Sequence, residues 1–215
     1  DFVYIPYNRE YSDYNFESVL KNDYPHVRFR FFKLENQTRG AAETIYLSLS
    51  HLKLENDTPV LCLDGDNFYE CDVISRWGGE NCVFTMHDTT SKPIYSYVKH
   101  DDCSNIHEIK EKEKISDYAC TGAYGFSSVS ELKKFALEVI HNDERQHSEF
   151  YMSGVIKRML GGGTVFKNKS VDKSQFICLG TPIQLKQFYN NFPLVSSIQS
   201  TNRIQNKRVC FDLDN

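Results

Sequence analysis

Along this chain the apolar positions recur with two periods, and the switches between them predict alternating strands and helices. Phe2-Val3-Tyr4-Ile5 is a strand candidate, and Tyr14 to Asn22 is weakly amphipathic through Phe16, Val19 and Leu20, which predicts a connecting helix. Val27 to Leu34 alternates apolar with basic residues, the period-two pattern of a half-buried strand. After the turn Gln37-Thr38-Arg39-Gly40, the residues Ala41, Ala42, Ile45, Tyr46, Leu49 and Leu52 recur at helical spacing, with Thr38 or Gly40 near the N-terminus. A glycine loop therefore opens a helix between two strands. Such a turn lets backbone N–H groups approach an anion or a base edge, although turn geometry alone also explains the glycine.

Val60-Leu61-Cys62-Leu63 is a short apolar run after Pro59 that ends in Asp64-Gly65-Asp66. Four apolar residues in a row suit a strand covered on both faces, and ligands of open α/β sheets sit beyond the carboxyl ends of such strands. Asp66 is then expected to face a cleft, where paired acids suit Mg²⁺; a plain polar turn is the competing reading. Further strands are expected at Cys82 to Met86, Ile94 to Lys99, Ile106 to Lys110, Ala119 to Phe126 and Phe176 to Leu179, several of them as a meander added to a parallel sheet. Ser128-Val129-Ser130-Glu131 is a capping box ahead of Leu132, Phe135, Ala136, Val139 and Ile140. A second helix is predicted from about Ser148 to Leu160, and a third after Thr181-Pro182. The expected fold class is α/β.

Composition narrows the function classes. The 215 residues carry a formal net charge of −4 with no lysine or arginine block, which argues against nucleic acid as a partner. The seven cysteines are scattered and never spaced C-x-x-C, so neither a disulfide framework nor a structural zinc site is expected, and a reducing, cytoplasmic setting fits. No apolar run is long enough to span a bilayer, so no membrane partner is expected. Asp1 and the mid-motif stop at Asn215 give the expectation of a piece of a longer polypeptide.

The series Gly40-Ala41-Ala42-Glu43-Thr44, Gly65-Asp66-Asn67, Glu111-Lys112, Thr121-Gly122-Ala123-Tyr124, Glu149-Phe150-Tyr151 and Leu179-Gly180-Thr181-Pro182 resembles, in order and spacing, the sugar-1-phosphate nucleotidyltransferase family. The resemblance implies a Rossmann-like nucleotide-binding fold whose central sheet is mixed, mostly parallel and flanked by helices. It also implies transfer of NMP from a nucleoside triphosphate to a sugar 1-phosphate, with release of pyrophosphate. By resemblance Asp66 holds Mg²⁺; Lys112 contacts phosphate; Glu111 accepts from sugar hydroxyls; and Gly40, Gln37, Gly122 and Glu149 line the substrate pocket, while Asp64, the other acid of the pair, is available as a further metal ligand. Read without the resemblance, Glu111 and Lys112 belong to a solvated run of alternating charge from Lys110 to Lys114.

Two departures stand out. The family's N-terminal glycine-rich loop and first strand are absent, so residues 1–205 are expected to form a nucleotidyltransferase-like domain without its usual triphosphate cradle. Cys178 also stands where the family has its second metal-binding aspartate, and a thiol is a poor ligand for a hard cation. At the far end, Arg208 to Asn215 resembles the first motif of haloacid dehalogenase-like phosphatases. Asp212 would then be the nucleophile and Asp214 the acid/base of a following domain at 206–215. Three alternatives remain: a degenerate binding or regulatory domain, a transferase acting on phosphocholine or a similar small phosphorylated alcohol, and a glycosyltransferase using Asp64-Gly65-Asp66 as a D-x-D motif.

Overall fold

The computed structural model describes residues 2–191. The expected phosphatase-like motif with Asp212 and Asp214, and the boundary at residue 205, lie outside the described residues.

The chain begins with β1 (Val3–Asn8), which runs parallel to β2 (Phe29–Leu34) with Val3 opposite Phe29. A parallel pair needs a crossover, and here a 3₁₀ segment (Arg9–Tyr14) and α1 (Phe16–Asp23) supply it. Val3, Ile5 and Leu20 pack with Phe16, Phe29 and Phe31 into a small core of their own. Next come α2 (Ala41–His51), β3 (Val60–Leu63), β4 (Asn67–Tyr69) and α3 (Val73–Trp77). The centre of the molecule is a sheet that joins β3 to β5 (Cys82–His87), β6 (Ser96–His100), β7 (Asn105–Glu111), β8 (Tyr118–Phe126) and β9 (Phe166–Ser170), in the order β3-β8-β5-β9-β7-β6. A further pairing of Tyr97 in β6 with Ala119 in β8 curls it toward a barrel.

This sheet corrects the expectation of a mostly parallel one. Its parallel pair is β5 with β9, and its other pairings are antiparallel. The connections explain why. The short turns after β6 and β7 can only reverse the chain, whereas β9 is reached through α4 (Val129–His141) and α5 (Met152–Gly161), long enough to return it parallel to β5.

Side chains alternate across the sheet as strand geometry requires. Val83, Val98, Ile109, Phe126 and Phe166 face the first core, beneath α2, α4 and α5. Cys82, Phe84, Met86, Tyr97, Ala119 and Ala123 face the second, beside Val73 of α3. Half of the capping box forms: Ser128 Oγ accepts from the Glu131 N–H at 3.3 Å, while the Glu131 carboxylate turns to Thr164, whose Oγ1 donates to it at 3.0 Å, and α4 buries Leu132, Ala136 and Val139. Burying a side chain the size of Leu132 or Val139 contributes roughly 1.5–3 kcal/mol.

Two smaller features complete the fold. A two-stranded ribbon pairs β4 with β10 (Phe176–Cys178), Asn67 opposite Cys178, and α6 (Pro182–Asn191) comes after it. An apolar slot of about 260 Å³ separates β1 from β3, lined by residues such as Val3, Leu49, Leu61 and Trp77. Each of these strands is paired on its far side, β1 with β2 and β3 with β8, and they are not paired with each other.

Candidate active site

A cleft of about 510 Å³ opens where β3 and β7 end beside the middle of β8, and Asp64, Asp66, Asn67, Glu111, Lys112 and Gly122 line it. Asp64 arrives from β3 and is anchored when its N–H donates to the Gly122 carbonyl at 2.8 Å. Gly122 has φ +76°, and a Cβ there would stand 2.3 Å from Asp64 Oδ2 and 2.5 Å from Asn67 Nδ2. Only glycine lets β8 pass this close to the two side chains. Asn67 Nδ2 donates to the Thr121 carbonyl at 3.1 Å, and the Tyr69 hydroxyl donates to the same oxygen. Asn67 Oδ1 is buried with no partner among the described residues.

Asp66 sits on the ribbon, where the Leu179 N–H donates to its carbonyl at 2.6 Å. Burial raises its carboxyl above the ordinary 3.8, and backbone hydrogen bonding opposes that. Burial, with a smaller push from Asp66, also raises the Cys178 thiol. A thiol in that state stays protonated near neutral pH and is a poor partner for a hard cation. No group of three or more His, Cys, Asp or Glu side chains among the described residues is arranged to hold a metal. A half-buried carboxylate outside every salt bridge among the described residues nevertheless suits Mg²⁺, which takes one or two carboxylates and fills its shell with water and phosphate.

On the opposite wall β7 delivers Glu111 and then Lys112, whose backbone turns to φ 50° while its N–H donates to the Tyr95 carbonyl at 3.0 Å. Lys112 Nζ donates to the Tyr151 hydroxyl at 2.9 Å and stands 4.8 Å from the centre of that ring. That hydrogen bond is the main reason the ammonium is raised, with Glu111 and Glu149 adding to it. Glu111 Oε2 accepts from Ser153 Oγ at 2.8 Å and from Ser96 Oγ, the residue opposite it in β6.

The structure therefore brings Asp64, Asp66, Glu111, Lys112 and Gly122 to one cleft. Glu149 and Gln37 are exposed and outside the residues that line it, Glu149 acting on Lys112 through charge and Gln37 lying in the loop after β2. Gly40 (φ +131°) is held against the backbone of Phe150. Sequence reasoning assigned no role to Ser96, Ser153 or Asn67. The signal for Ser153 is a serine and a glycine inside an otherwise apolar first helical turn, Met152-Ser153-Gly154-Val155; nothing in the sequence marks Ser96.

No family model and no curated protein matches the sequence. Solved structures do. A nucleoside-diphosphate-sugar pyrophosphorylase from Vibrio cholerae RC9 superposes with a TM-score of 0.73 at 18% identity, over 87% of this chain and 80% of that one. The chain shares that protein's fold. An inositol-1-phosphate CTP transferase from T. maritima matches with a TM-score of 0.64 at 16% identity, over 86% of this chain and 73% of that one. A putative glucose-1-phosphate thymidylyltransferase from Bacillus anthracis gives 0.62 at 16% identity, over the same shares. Among the described residues no helix is long and apolar enough to cross a membrane.

Proposed function

We propose that this chain is the nucleotide- and sugar-phosphate-binding part of a nucleotidyltransferase that moves NMP from a nucleoside triphosphate to a sugar 1-phosphate, forming an NDP-sugar and releasing pyrophosphate. The observation that carries this reading is the convergence of Asp66, Glu111 and Lys112 on one cleft within the shared fold. Phosphoryl chemistry of this kind asks mainly for positioning and for spreading of charge. Lys112 holds the acceptor phosphate as a point charge, its ammonium placed at the cleft by the Tyr151 hydroxyl. Glu111 accepts from ring hydroxyls, orienting the phosphate oxygen that attacks the α-phosphorus in line with the departing pyrophosphate. Asp66, with Asp64 beside it, would hold Mg²⁺, which when bound neutralises the α-phosphate and the leaving group. Acceptors named by the neighbours, inositol 1-phosphate and glucose 1-phosphate, are both ring polyol phosphates that such a carboxylate suits.

Calorimetry tests the reading. The chain is titrated with hexose 1-phosphates, inositol 1-phosphate, phosphocholine and the common nucleoside triphosphates in MgCl₂. Saturable binding of one polyol phosphate, weakened at least about tenfold by Lys112→Ala, is the expected outcome. Binding of phosphocholine alone, or of none of these, overturns it. Cys178 in the place of a carboxylate favours a second reading, a domain that binds these ligands without turnover. Pyrophosphate release that disappears in Asp66→Asn decides for catalysis.

A further inference from the structure

The segment from Gln146 to Ser153 touches both members of the Glu111–Lys112 pair, and it does so with side chains that local folding does not require. Ser153 lies in the first turn of α5 and is only 1% exposed, so its hydroxyl must find a partner inside the protein. A helical serine can satisfy itself on a carbonyl of the preceding turn. Ser153 instead reaches across to β7, where its Oγ is 2.8 Å from Glu111 Oε2, and it lies 3.3 Å from the Gln146 amide oxygen. Its single proton goes to the carboxylate, the stronger acceptor. Ser96 donates to the same oxygen, so both donors converge on Oε2 and Oε1 accepts no protein hydrogen bond among the described residues. Two residues earlier in the segment, Tyr151 presents both its hydroxyl and its ring to the Lys112 ammonium. The backbone of the segment is itself fixed: His147 (φ 48°) and Ser148 (φ 80°) turn it sharply, and Gln146 and Glu149 exchange hydrogen bonds at 2.9 and 3.0 Å.

From this geometry we infer that Ser153 and Tyr151 are positioning residues that divide acceptor recognition between them, Ser153 aiming the Glu111 carboxylate at hydroxyls and Tyr151 aiming the Lys112 ammonium at phosphate. The inference rests on the proposed function for the identity of the ligand, but not for the contacts themselves. It separates two affinities that a loss of fold would lower together. Ser153→Ala removes a donor to a charged group and leaves the ammonium untouched. Tyr151→Phe removes the acceptor hydroxyl and keeps the ring.

The experiment measures binding of the tightest hexose 1-phosphate and, separately, of inorganic phosphate to the whole chain and to each variant. Ser153→Ala should weaken the sugar phosphate about tenfold and leave inorganic phosphate unchanged. Tyr151→Phe should weaken both by about the same factor, roughly fivefold. In a Glu111→Gln background, Ser153→Ala should have little further effect, because the group it aims is gone. Equal weakening of both ligands by Ser153→Ala, no weakening of either, or full additivity with Glu111→Gln would overturn the inference. A second readout needs no ligand: the ¹³C resonance of the Glu111 carboxyl should shift in Ser153→Ala and stay put in Tyr151→Phe. If the protein binds no sugar phosphate and that resonance still moves, the proposed function falls and the positioning stands. An unmoved resonance sinks the positioning whatever binds.

Discussion

Gly40→Ala should be one of the most damaging single changes in the molecule, for a reason that can be worked out atom by atom. The residue sits at φ 131°, ψ 172°, a region that glycine alone visits freely, and holding alanine there costs about 1–3 kcal/mol. The added Cβ would lie 2.7 Å from Phe150 N and 2.8 Å from Phe150 O, backbone atoms that cannot swing aside. Those two atoms also carry the seam between the two segments: the Phe150 N–H donates to the Arg39 carbonyl and the Ala42 N–H to the Phe150 carbonyl, each at 2.9 Å. Backing Phe150 away lengthens both bonds, at about 1 kcal/mol each. The sum is about 3–5 kcal/mol, against a total stability of about 5–15 kcal/mol for a domain. Urea unfolding should show the midpoint falling steeply with little change in slope. A variant that loses less than about 1 kcal/mol, or keeps its midpoint and loses only nucleotide affinity, would refute the packing argument.

Substitutions elsewhere probe other contacts. Glu43 is held below its ordinary 4.5 chiefly by its hydrogen bonds with Arg39, so its stabilisation is present above pH 4.5 and fades as the pH falls through the lowered value. Glu43→Gln should therefore cost about 1 kcal/mol at neutral pH, discounted because Arg39 is half exposed, and the gap in thermal midpoint should close in acid. Ile156→Ala, at a fully buried position on α5, should cost about 2–5 kcal/mol by chemical denaturation. Cys178→Asp should tighten Mg²⁺ in calorimetry with nucleoside triphosphate present, whereas Cys178→Ser should change it little; a large loss in the serine variant would mark the thiol as a ligand.

Where local pattern decides the structure, the sequence was readable. The helical repeat from Ala41, the helix start capped by Ser128 and the strand from Ala119 to Phe126 all form within a residue or so of expectation. Short or polar elements escaped it. The three residues of β4, the five of α3 and the lysine-rich Phe166–Ser170 of β9 bury too little to leave a period. The helix expected from Ser148 begins at Met152, because His147 and Ser148 adopt left-handed backbone that no pattern announced. Sheet direction was also out of reach, since it depends on which distant strands pair. The site divides in the same way. Asp66, Glu111, Lys112 and Gly122 were recognisable as members of an ordered series and Asp64 as one of two acids at a strand end, while the two serines on Glu111 meet it only through folding.

The slot between β1 and β3 also bears on how the molecule comes apart. On one side stand β1, β2 and α1 with a core of their own; on the other, β8 lies between β3 and β5 with Ala119, Ala123 and Phe126 fully buried. With no ladder of backbone hydrogen bonds across that line among the described residues, the outer layer can open without disturbing the centre. Amide hydrogens of Val3 and Ile5 should then exchange by partial opening, at a free energy below that of global unfolding. Those of the β8 core should exchange only when the whole sheet is lost.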